Sequence, residues 1–356
     1  MNTYAVLPEV RRIGFHGLTG DNRFPEDFPF PAALSSVVEY FHDPAFPVIP
    51  HVNNGETILE RCGNIEFLAA SGMAFGLLWS PEFDGSCLDF TLVNRHDQTI
   101  RAAFEWAGYA CEILPHDTAP DNTPEARQKI LAAIDAGIPV LGFGCMGFPE
   151  CSLICGYDRS GEVLIGWSYF QLDVSWAQEE NGMFRDGDWE KSWLKIVIPG
   201  EKTERRDSFP AVVERALTVM LQPASGPFAA GIAAYDPWIA FLENPAVKHW
   251  PDPQLKERHE LHHGLIGSLA EARWWAQRFL LKQSKHPEIL AAAECFKTIH
   301  ELCWQLWEVL GAQAGPDLYK ELRDRNKRRQ LAALLTRVKA ADVEAANHLQ
   351  NALQAR

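Results

Sequence analysis

Positive charge is scarce in this 356-residue chain, where 33 Lys and Arg stand against 47 Asp and Glu for a formal net charge of -14. An acidic surface repels phosphate backbones, so nucleic acid is not an expected partner. No run approaches the roughly 18 apolar residues of a membrane span. The opening MNTYAVLPEVRRIGFHG carries charge where a secretory signal needs an apolar core. The expectation is a cytoplasmic protein with no membrane partner. Cysteine is sparse as well: Cys62, Cys87, Cys111, Cys145, Cys151, Cys155, Cys295 and Cys303 include no C-x2-C pair. That spacing excludes a disulfide scaffold and a structural zinc module, and predicts mostly reduced, buried thiols. Repeats of fixed period and low-complexity tracts are missing, and nothing in the pattern calls for a cofactor.

What is present is apolar mass. Hydrophobic residues make up 47% of the chain and charged residues 22%, enough for two cored domains and too apolar for disorder. Twelve tryptophans indicate either extensive packing surfaces or a ligand cleft, and the count alone does not choose between them.

The first 50 residues are rich in Pro and Phe, which predicts extended and turning chain. One helix interrupts it after Pro31, where Ala33, Leu34, Val37, Val38 and Phe41 form an apolar stripe. Between about 64 and 200, helical patterns near 64–70, 97–107 and 123–136 mix with strand patterns near 109–114, 138–144, 151–157, 162–168 and 193–198. Asp158-Arg159-Ser160-Gly161 reads as a hairpin turn. The charged segment 201–208 is a break, after which strand signals vanish. Helices are expected near 210–222, 227–243, 253–283, 288–311 and 317–353, the last open to a break near Ala340. The division is therefore an α+β domain over 1–200 with a small antiparallel sheet, and an all-α helical bundle over 209–356.

Two stretches resemble the papain-like cysteine-peptidase fold, in particular bacteriocin-leader peptidases and acyltransferases of the butirosin biosynthesis H-like kind. Residues 31–41 resemble the nucleophile helix. Gly137-Ile138-Pro139-Val140, Glu150 through Asp158 and Gly161 through Ile165 resemble the "G-x-P-V" strand, the His-bearing strand and the strand after it. Such chemistry uses a thiol at a helix N-terminus, a His to accept its proton and an Asn or Asp to orient that His. Carried over residue by residue, the resemblance puts Pro29 at the nucleophile, Glu150 at the His, Trp167 near the orienting group and Arg23 at the oxyanion glutamine. It implies the shell of a hydrolase or acyltransferase without its triad, not an active cysteine peptidase.

The same residues also have plain structural roles: Pro29 starting a turn, Glu150 pairing at a strand start, Trp167 filling a core. As a binding cleft, Glu150 beside Phe148, Trp167 and Tyr169 would suit an amine or guanidinium on a small molecule or peptide. If Glu150 faces the cleft, alternation sends Cys151 the other way and keeps Ser152 and Ile154 on the Glu150 side. Cys62, beside Arg61 and ahead of a helix, is the alternative nucleophile, in a setting that favours thiolate. A butirosin-H-like acyltransferase or cysteine hydrolase with unrecognised catalytic residues is the alternative function.

A second alternative is a zinc-dependent hydrolase. His259-Glu260-Leu261-His262-His263 satisfies H-E-x-x-H, in which His259 and His263 would bind zinc and Glu260 would activate water. Against it, Ile266 stands where a metzincin has Gly, and Glu271, Glu288 and Glu294 compete as third ligand. With Leu261, Leu265, Leu269, Ala272, Ala276 and Leu280 as the core stripe, His259 and His263 fall on the opposite side of the helix, a side continued by Ile266, Ala270 and Trp274. Gly142 to Gly147 spells G-x-G-x-x-G, but between strands, which is no dinucleotide loop. Cys295 and Cys303 read as part of a core stripe, and Arg323 to Arg329 as a solvated basic face.

Overall fold

The computed structural model describes residues 2–13, 26, 28–53, 56–80, 97–117, 121–146, 150–169, 182–204, 207–310 and 317–355, with backbone alone at 51–53 and 56–58. The chain forms two compact units, Met1–Phe67 with Phe90–Asp207, and Leu68–Asp89 with Ser208–Arg356.

The first unit is built on a seven-stranded antiparallel sheet. Its strands are β1 (Ala5–Val6), β5 (Tyr109–Pro115), β6 (Val140–Phe143), β7 (Cys151–Asp158), β8 (Val163–Trp167), β9 (Phe184–Asp186) and β10 (Lys195–Lys202). The order is β5-β10-β6-β7-β8-β9, with β1 pairing β7. A separate hairpin joins β2 (Val48–Asn53) to β3 (Glu56–Arg61). Central β7 is buried from Cys151 to Tyr157, which explains its nearly unbroken apolar run. Gly156 is required there: a Cβ would stand 2.5 Å from the Ala5 carbonyl oxygen, where β1 joins beside an irregularity in the β7–β8 register.

Helix α4 (Thr123–Asp135) covers one sheet face. Its Ile130, Leu131 and Ile134 pack with Val140, Ile154, Leu164, Phe184, Trp189, Trp193 and Ile196. Trp193 donates to Thr123 Oγ1 at 3.1 Å and Trp189 to the Gly161 carbonyl at 3.1 Å, so these indoles are packing elements with satisfied N–H groups. Helix α1 (Pro29–Tyr40) lies on the other face, with Phe30 and Phe143 ring centroids 6.0 Å apart. The helix begins two residues before Pro31, because first-turn N–H groups have no intrahelical partner and both prolines are tolerated there. Residues 29–38 are all buried, so α1 is enclosed on every side and not only along the expected stripe. Helix α3 (Asp97–Ala107) precedes edge strand β5. The 158–161 segment closes the β7–β8 hairpin as a 3-10 turn, with Arg159, Ser160 and Gly161 all at positive φ.

The second unit contains α5 (Phe209–Leu221), α6 (Tyr235–Glu243), α7 (Asp252–Gln283), α8 (Pro287–Leu310) and α9 (Arg325–Gln354). Helix α2 (Cys62–Ala70) leads the chain from the first unit into it. The second unit is not purely helical. Segment 227–230, expected in a helix, instead forms strand β12 (Phe228–Ala230) between β11 (Ala224–Ser225) and β4 (Leu78–Trp79). Leu68–Asp89 groups with the C-terminal residues rather than within the expected 1–200 domain; the β4–β12 pairing and the Arg273 bond to the Ala74 carbonyl are among the links. Residues 318–323, expected to open the last long helix, form a 3-10 segment, and α9 starts after the Asp324 cap, whose carboxylate accepts the Asn326 N–H at 2.7 Å. Arg328 departs from the solvated basic face: it is 2% exposed and donates to the Leu242 and Leu322 carbonyls at 3.0 and 2.7 Å. No helix among the described residues is long and apolar enough to cross a membrane.

Candidate functional site

Two of the resemblance-derived positions, Pro29 and Glu150, lie next in sequence to residues through which α1 meets the sheet. Pro29 opens α1; Phe30, the next residue, packs on Phe143; Phe143 is the register partner of Cys151; and Glu150 immediately precedes Cys151. The start of α1 therefore packs against the end of β6 that pairs with the first residue of β7.

The facing of side chains differs from the expected one. Residues paired across antiparallel strands point to the same face, so Cys151 lies with Phe143 on the α1 side of β7, while Ile154 lies in the α4 core. Alternation within the strand thus aims Cys151, not Ser152 or Ile154, toward α1. Glu150 sits at a bend outside the ladder, where its carbonyl accepts the Gly144 N–H at 3.2 Å, so alternation does not set its side chain. Trp167 pairs with Leu153, is half-buried, and donates its indole N–H to the Val10 carbonyl at 2.9 Å. Tyr169 is half-buried just beyond it. Phe148 and Arg23 lie outside the described residues.

The thiols of this sheet are not activated. Cys151 is 2% exposed; burial, then the neighbouring Cys145 and Glu150, push its thiol well above the ordinary range. Cys145 and Cys155 are raised by burial in the same way. Cys111 lines a recess of about 170 Å³ with Arg101, Glu105, Tyr109 and Thr203 at the β5 edge, three strands from β7, and burial pushes its thiol up to about 11. Cys62 begins α2 at 4% exposure. Its neighbour Arg61 directs the guanidinium to Glu26 (Nε to Oε1 2.7 Å) and to Ser36, with Glu39 at 3.6 Å, so that charge already faces two carboxylates.

In the second unit the expected core stripe of α7 is buried throughout. The opposite side is covered by α8, with His263 against Trp307 at 5.7 Å and Trp274 against His300 at 4.9 Å. His259 and His263 are half-buried with stacked rings 6.0 Å apart, and burial lowers both pKa values, keeping the imidazoles neutral. The rest of the zincin arrangement is not assembled. Glu260 is exposed and lies 3.9 Å from Lys256. Glu271 accepts from Trp275, Glu288 from His348 and Glu294 from Lys297. Among the described residues no third donor joins His259 and His263. His262, fully buried, accepts the Trp238 indole N–H at 2.8 Å on Nδ1 and is lowered to about 3, first by burial and then by His259 and His263.

One grouping has no counterpart in the linear reading. Cys303 is buried, as a core stripe requires, but Cys295 is half-buried at a helix edge beside Glu344 and His348. The sequence signal is the Glu-x-x-x-His spacing on α9, which places both side chains on one face.

No protein-family model matches the chain, and no curated protein matches it.

Proposed function

We propose that the first unit is a catalytically degenerate papain-like domain that binds a small molecule or peptide instead of cleaving or acylating it. The observation that carries this reading is the occupancy of two of the resemblance-derived positions. Pro29 opens the helix that resembles the nucleophile helix, and Glu150 sits at the bend immediately before the strand that resembles the His-bearing one. Proline offers no nucleophile, and a carboxylate beside a fully buried, protonated Cys151 favours the thiol over the thiolate. What the reading retains is a carboxylate at Glu150 and two half-buried aromatic side chains, Trp167 and Tyr169, on the neighbouring strand and just beyond it, residue types that suit a cationic group on the ligand.

Two measurements test it. Incubation of the native chain with an acyl-thioester panel and a thiol-directed activity probe, followed by intact mass, is expected to leave the protein unmodified. A stoichiometric adduct at any one cysteine overturns the degenerate reading in favour of a butirosin-H-like acyltransferase or a cysteine hydrolase. Titration with arginine amide, read by tryptophan fluorescence, is expected to saturate, with Glu150→Gln weakening binding about tenfold. Equal affinity in parent and variant removes Glu150 from the site.

A further inference from the structure

We propose that Cys295, Glu344 and His348 form a binding site for a zinc-class divalent cation that clasps α8 to α9. The site lies within the helical unit and stands independently of the cleft reading above.

The sulfur of Cys295, a ring nitrogen of His348 and a carboxylate oxygen of Glu344 all lie within 4.8 Å of one another. Zinc bonds of about 2.0–2.3 Å in a tetrahedral set place ligand atoms roughly 3.3–3.7 Å apart. Closing the remaining distance is within the rotamer freedom of the exposed Glu344 side chain. Helices α8 and α9 run antiparallel here, with Glu288 facing His348 and Asn351 while Cys295 faces Glu344. Long packed helices hold the donors, so the arrangement does not depend on a loop.

The orientation of His348 points the same way. Its Nδ1 lies 2.7 Å from Glu288 Oε2, and Asn351 Nδ2 donates to that same oxygen at 3.3 Å. With Nδ1 turned to Glu288, the other ring nitrogen, Nε2, is directed to Glu344, whose Oε1 is 3.8 Å away. A carboxylate behind a histidine that fixes its tautomer is the usual support of a metal-bound imidazole. Sulfur and imidazole donors together select a borderline cation of the zinc type over calcium or magnesium. Three protein ligands and an exposed Glu344 leave a fourth position open to water or an incoming ligand.

The test uses the full chain without a histidine tag, stripped with chelator and titrated with zinc against a chromogenic competitor. One equivalent is expected to bind. Cys295→Ser and His348→Gln are each expected to lose at least a hundredfold in affinity, and Glu288→Gln about tenfold. His259→Ala is expected to bind like the parent. Cobalt in place of zinc is expected to show a thiolate charge-transfer band in the near ultraviolet that vanishes in Cys295→Ser. No stoichiometric binding by the parent overturns the site. So does a thiolate band that survives Cys295→Ser, or a loss of binding in His259→Ala. Should Cys295→Ser not fold, His348→Gln and Glu288→Gln decide by the same titration and spectrum.

Discussion

In the first unit the Arg61 guanidinium lies against Glu26 with both side chains 2% exposed; in the second, Arg273 meets Asp342 with both at 1%. The surroundings separate the two pairs. Arg61 is bidentate to Glu26, adds Ser36 and Glu39 from α1, and donates to the Arg12 carbonyl at 3.4 Å, tying the end of β3 to α1 and to the chain before it. Arg273 is bidentate to Asp342 at 2.9 and 2.8 Å, donates to the Ala74 carbonyl at 2.7 Å, and shares Asp342 with the Tyr235 hydroxyl at 2.6 Å. That network ties α6, α7 and α9 to the chain just after α2. Its geometry satisfies nearly every donor, which a buried ion pair needs if its attraction is to offset desolvation. Both units bury thiols, Cys145, Cys151 and Cys155 in the first and Cys303 in the second, and each holds a half-buried one, Cys111 beside Arg101 and Glu105 and Cys295 beside a His and a Glu. A sheet covered on both faces leaves its central thiols no solvent, while the grooves between long helices keep side chains at their rims accessible.

The sharpest way to break the comparison is to remove one partner of the helical network. Asp342→Ala is expected to lower unfolding stability by about 3–5 kcal/mol, because Arg273 is left charged and buried. Urea denaturation followed by circular dichroism measures it, and a loss below about 1 kcal/mol would show that the network is replaceable.

Histidine supplies the next effect. His262 holds a pKa of about 3 when folded, and about 6.5 when unfolded. Between those values the unfolded chain binds the proton that the folded chain refuses, so stability is complete above pH 6.5 and falls as pH drops toward 3. At pH 5 the loss is about 2 kcal/mol, and His259 and His263, lowered in the same direction, add to it. His262→Leu is expected to flatten that slope in denaturant midpoints between pH 7 and 5, whatever its effect on stability at pH 7.

A smaller change is expected in the sheet unit. Tyr157→Phe removes the 2.7 Å hydroxyl bond to Asp135, which links β7 to the end of α4, and is expected to cost about 1 kcal/mol in the same assay. Smallest of all, Glu260→Gln is expected to change stability by less than about 0.5 kcal/mol, since its partner Lys256 is 3.9 Å away in solvent. A larger shift would show that Glu260 has a role that its exposure does not reveal.

Local pattern carried much of the architecture. The α3 pattern over 97–107 coincides with the helix, because its period falls on one buried face made of Ile100, Ala103, Phe104 and Trp106. The strands at 109–115, 140–143 and 151–158 were readable as apolar runs bounded by turn residues. The β4–β11–β12 sheet was not. Its strands are two or three residues long, and β4 pairs with a partner some 150 residues later, so no local period marks them. The candidate cleft was legible only as positions along a strand and a helix. Which face of β7 each side chain takes came from its pairing with β6.

Amino-acid order by itself determined the helix and strand preferences and the acidic balance, since these are properties of residue type and local spacing. Tertiary structure alone decided that Cys151 faces α1, that Arg328 is buried, that Glu260 stays in solvent, and that Cys295, Glu344 and His348 meet. Each of these depends on distances between segments far apart in the chain, and those distances are set by packing, for which no local period exists.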